Sequence, residues 1–91
     1  MNTLMIGYDL IKPGKDYANL IDATKKLSGT WWHCLDSTWI IKTNSTAKQV
    51  RDALLQHIDG NDRLLVVTLS APAAWTSSFS EKCKQWLSDN L

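Results

Sequence analysis

The chain has little charge of either sign in excess, little cysteine and no long apolar run, and each shortage closes a class of function. Ten Lys and Arg against nine Asp and Glu leave a net charge of +1. Bulk electrostatic attraction to nucleic acid is therefore missing. The pairs Lys12/Lys15, Lys25/Lys26 and Lys82/Lys84 are the local basic candidates, and pairs of this kind are usually solvated faces. The longest apolar stretches are about strand length, so neither a membrane span nor a signal peptide is expected. The two cysteines, Cys34 and Cys83, lie far apart and fit no metal spacing. Two reduced, buried thiols in a cytoplasmic protein are the simplest expectation. No linker, repeat or low-complexity segment is present.

What is present suits one small domain. The 91 residues are 44% hydrophobic and include five Trp, ample for a core near the lower size at which one holds without staples. Thr3-Leu-Met-Ile-Gly-Tyr-Asp9 reads as an apolar strand that stops on a carboxylate before a Lys12-Pro13-Gly14 turn. Asp16 is a plausible N-cap for a helix carrying Tyr17, Leu20, Ile21, Thr24 and Leu27 at helical spacing. Ser28-Gly29 supplies its stop, with Gly29 expected in the left-handed conformation. Thr30 to Thr43, rich in aromatic and β-branched residues, reads as two strands with a tight turn or bulge around Leu35-Asp36.

Thr46 and Gln49 have capping-box spacing, opening a helix with Ala47, Val50, Leu54 and Ile58 on one face. After the turn cluster Asp59-Gly60-Asn61-Asp62, the run Leu64 to Leu69 suggests a strand buried on one face and central or well covered. The last helix is expected from Ser78, spaced three residues from Glu81, with Phe79, Cys83, Trp86 and Leu87 as its apolar stripe. The order predicts an α+β fold. It is a ferredoxin-like β-α-β-β-α-β antiparallel sheet with helices on one face, plus a C-terminal helix.

Asp9 is the first candidate for chemistry. At the end of a central strand it can reach over the sheet edge, where two copies in a two-fold dimer would share one divalent cation. It can equally cap the following turn through its backbone. His33, on the aromatic strand, is of a residue type that can serve as a general acid or base. His57 complements the dipole at the end of the second helix. No nucleophile motif stands beside either histidine.

Trp31 and Trp32 are neighbours on a strand and point to opposite faces. One of them must be covered by the C-terminal helix or by a partner, or else stand exposed. An aromatic patch without a basic stripe more often marks a protein interface than a base-stacking platform. Trp75, in a Pro/Ala/Ser loop, is a further anchor for that helix or for another subunit. The surplus of apolar surface predicts a homodimer.

Met5-Ile-Gly-Tyr-Asp9-Leu resembles the first strand of the CRISPR-associated adaptation nuclease family (the second Cas protein). His33-Cys-Leu-Asp-Ser-Thr-Trp-Ile-Ile41 falls where that family has its hairpin, and Ile58 to Leu69 is similar to its closing segment. The related virulence-associated protein D toxins share the layout. The resemblance spans roughly residues 3 to 70. It implies a ferredoxin-like homodimer and, in catalytic members, a metal-dependent nuclease with magnesium as cofactor. Asp9 would be the catalytic carboxylate and metal ligand. Where family members hold nucleic acid with Arg or Lys, this chain has Asp16, Asp22, Lys25 and Lys26, and Trp31-Trp32-His33 replaces basic and amide residues. The alternative function is a non-catalytic dimeric module that binds a protein through Trp31, Trp32 and Trp75, in a toxin–antitoxin, phage or defence setting.

Overall fold

The computed structural model describes residues 1–11 and 17–91. Within them the chain runs β1 (Asn2–Asp9), α1 (Ala18–Lys26), β2 (Thr30–Leu35), β3 (Thr38–Thr43), α2 (Ala47–Leu55), β4 (Arg63–Thr68) and α3 (Glu81–Asn90). The strands form an antiparallel sheet in the order β2-β3-β1-β4. The fold is therefore α+β, with four strands and three helices. The proposed Asp16 cap and the Lys12-Pro13-Gly14 turn lie outside the described residues.

Adjacent residues of β3 face opposite ways, and both faces are covered in part. Ile41 joins Leu4, Ile6, Leu20, Trp39, Val50 and Leu54 in the main core under α1 and α2. Ile40 joins Trp32 and Leu87 in a smaller core under α3, on the other face. α2 begins as its spacing requires. The Thr46 hydroxyl accepts from the Gln49 amide at 3.2 Å, and the Gln49 side chain accepts from the Thr46 amide at 2.9 Å. In α1 the buried Thr24 hydroxyl is satisfied by donating to the Leu20 carbonyl at 2.8 Å.

Three expectations are corrected here. Gly29 does not take the left-handed conformation. Instead the Ser28 hydroxyl donates to the Thr24 carbonyl at 2.7 Å, and the Ser28 amide to Lys25 O at 3.2 Å, which closes α1 without it. β4 is an edge strand rather than a central one, and Leu65 on it is 57% exposed. The N-cap of α3 is Ser80, whose hydroxyl accepts from the Cys83 amide at 3.2 Å. Ser78 pairs with Thr76 instead. Starting the helix after Phe79 frees that ring to pack on Trp32, with centroids 5.6 Å apart.

The cysteine expectation also fails. Cys34 and Cys83 are joined in a disulfide between β2 and α3. β2 also carries a bulge, its register with β3 shifting by one residue between Trp32 and Leu35, while Cys34 shares the α3 side with Trp32 by ordinary alternation. Strict alternation would send Cys34 and Leu35 to opposite faces. With the extra residue, both lie on the α3 side, Cys34 bonded to Cys83 and Leu35 beside Trp75 and Phe79.

Candidate functional site

The face of the sheet opposite α1 and α2 holds two neighbouring hollows. The first is an apolar groove of about 480 Å³ between the sheet and the segment leading into α3. Met5, Leu35, Ile40, Leu69, Trp75 and Phe79 line it, and among the described residues no charged side chain does. β1 and β3 deliver Met5 and Ile40, the β2 bulge delivers Leu35, and the chain after the cis Ala71–Pro72 peptide brings Trp75 over the sheet. Leu35 and Trp75 are 47% and 38% exposed at the rim.

The second hollow, about 410 Å³, lies at the β1 end, lined by Gly7, Asp9, Ser37, Thr38, Arg63 and Leu65. Asp9 is exposed and pairs in register with Arg63. Gly7 leaves open space where a Cβ would stand. Magnesium asks for several oxygen ligands. The hollow has, among the described residues, one carboxylate, Asp9, with Arg63 opposite. Among the described residues no group of three or more His, Cys, Asp or Glu is placed to hold a metal.

The other tryptophans are divided by the two faces. Trp32 is 4% exposed, covered by α3 and Phe79, and its indole N–H donates to the Cys83 carbonyl at 3.2 Å. Most of its surface is taken by the chain's own helix, and what remains lines the apolar groove. Trp31 is 42% exposed on the α1 side. Lys25 Nζ stands 4.9 Å from its ring and Trp39 packs at 5.2 Å. A cation over an indole face is attractive, so Lys25 is engaged with the protein rather than offered to a phosphate.

His33 stacks on Trp39, and its Nδ1 lies 3.0 Å from the Thr38 carbonyl. A carbonyl can only accept, so Nδ1 carries the proton. Asp62, in the turn before β4, is a hub that was read from sequence only as turn punctuation. Its carboxylate accepts from the Ile11 amide at 2.9 Å, from the Tyr17 hydroxyl at 3.1 Å and from the Asp59 amide at 2.8 Å. Spacing gives no sign of it, because its partners lie up to 51 residues away. Asp52, exposed on α2, has its pKa lowered chiefly by its hydrogen bond from Arg51; desolvation opposes this, and the charges of Arg51 and Lys48 add to the lowering. It stands apart from both hollows. Among the described residues no helix is long and apolar enough to cross a membrane. The chain matches no model of a known protein family, and no solved structure matches it.

Proposed function

We propose that the protein is a ferredoxin-like, non-catalytic interaction module that works as a homodimer through its apolar groove. The order β2-β3-β1-β4, with β1 and β3 central, supports the ferredoxin-like reading. The observation that carries the functional reading is the groove itself, open and lined among the described residues by no charged side chain, with Trp75 at its rim. Homodimer interfaces are more apolar than transient ones, which suits a second copy better than a polar partner. A net charge of +1 sets up little repulsion between copies. Multi-angle light scattering should give twice the chain mass at micromolar concentration, and Trp75→Glu should give the monomer. A monomeric wild type removes this reading.

A nuclease reading is favoured by one observation: Asp9 is exposed on the same face of the sheet as the groove. Two copies meeting across that face would bring two Asp9 carboxylates toward each other. The test is cleavage of RNA and DNA with Mg²⁺ or Mn²⁺. The interaction module predicts none. Cleavage that Asp9→Asn abolishes while folding survives would replace the module with the nuclease. A cytoplasmic setting belongs to the same proposal, and there the Cys34–Cys83 bridge would be a reversible one.

A further inference from the structure

We infer that the Cys34–Cys83 disulfide is a redox site that latches α3 onto the sheet, and that its reduction by a dithiol releases the helix. α3 has ten residues, shorter than helices that persist alone in water. Docking must therefore hold it. Yet it buries one side chain fully, Leu87, where the shorter α1 and α2 bury two each. The other buried members of its small core, Trp32 and Ile40, belong to the sheet. Besides the disulfide, two indole hydrogen bonds tie α3 to β2: Trp32 Nε1 to the Cys83 carbonyl, and Trp86 Nε1 to the Thr30 hydroxyl at 2.9 Å. A single covalent bond thus fastens an element with a weak apolar grip.

The bridge can be reached. Cys34 and Cys83 are half-buried and line a cleft of about 460 Å³ together with Trp31, His33, Lys82 and Trp86. Thiol–disulfide exchange needs a thiolate to approach one sulfur, and Lys82 places a cation in that cleft. One thiolate of the dithiol attacks a cysteine sulfur, forming a mixed disulfide and expelling the other cysteine as thiolate. The second thiol of the reductant closes its own disulfide and expels the first. Two electrons and two protons pass to the protein, leaving two cysteine thiols. With the latch open, α3 lifts and exposes Trp32 and Ile40, and the groove loses the Leu87 wall.

The inference concerns α3 and does not depend on what the groove binds. Amide hydrogen exchange of the full chain, oxidised and then reduced with dithiothreitol, tests it. Amides of α3 should exchange about thirtyfold faster or more once reduced, the low end of what a disulfide usually contributes. Amides of β1 and β3 should keep their protection. The double variant Cys34→Ser/Cys83→Ser should match the reduced wild type with or without reductant. Unchanged α3 protection on reduction overturns the inference. So does parallel loss of protection in β1 and β3, which would make the bridge a staple of the whole fold. Light scattering on the same reduced sample reads the dimer separately: released α3 with unchanged dimer mass upholds the latch and counts against the groove contact.

Discussion

The His33 ring lies parallel to the Trp39 indole, with centroids 4.0 Å apart and planes 7° apart. Trp39 is buried and donates its indole N–H to the Tyr8 hydroxyl at 3.0 Å. Together with Trp31 and Lys25 the two rings make a ladder from solvent to core on the α1 side. His33→Ala should cost about 1 kcal/mol, the worth of a stacked aromatic pair. His33→Phe, which keeps the overlap, should cost less. Urea unfolding of the two variants measures the difference, and equal losses would show that the Nδ1 hydrogen bond, not the stack, matters.

Asp62→Ala should lower stability by about 2 kcal/mol, because a carboxylate that accepts from three groups leaves them without that partner. Tyr17→Phe removes a single hydroxyl and should cost about 1 kcal/mol. Chemical denaturation at neutral pH compares the two. A smaller loss for Asp62→Ala than for Tyr17→Phe would refute the hub.

Thr46→Ala should cost about 1 kcal/mol, since it removes the acceptor for the Gln49 amide at the start of α2. Thr46→Ser should restore most of it. Thermal melts followed by far-ultraviolet circular dichroism read both.

The two cores should respond differently to the same truncation. Leu54→Ala leaves a hole in the main core and should lower global stability by about 2–5 kcal/mol. Leu87→Ala in the oxidised protein should mainly speed amide exchange within α3, because the loss falls on an element held at one edge. Loss of β1 protection in Leu87→Ala would contradict this division.

How much of this could be read beforehand depended on whether the cause was local. The α2 start was legible because a capping box is a spacing of three residues. The opposite orientation of Trp31 and Trp32 followed from strand alternation, although only the packing of α3 and Phe79 decided that Trp32 is the one inside. The start of α3 was misplaced because Ser78 and Ser80 compete for one cap, and the contact of Phe79 with a distant strand settles the choice. The disulfide was invisible because its cysteines lie 49 positions apart and only the docking of α3 on the sheet brings them together. Asp9 was legible as a strand terminus, but its exposure and its pairing with Arg63 come from β4, which joins the sheet late in the chain.

The placement of Ile40 and Ile41 in separate cores has a consequence for how the strands find each other. Most strands with one solvated face are checked on one side only: a slip exposes apolar groups there and inserts polar ones. β3 is checked on both. Sliding it by one residue against β1 and β2 would drive Trp39 toward α3 and leave Lys42 facing the main core. Every wrong alignment is penalised twice, so the middle of this sheet should be the first part to commit and the last to tolerate rearrangement.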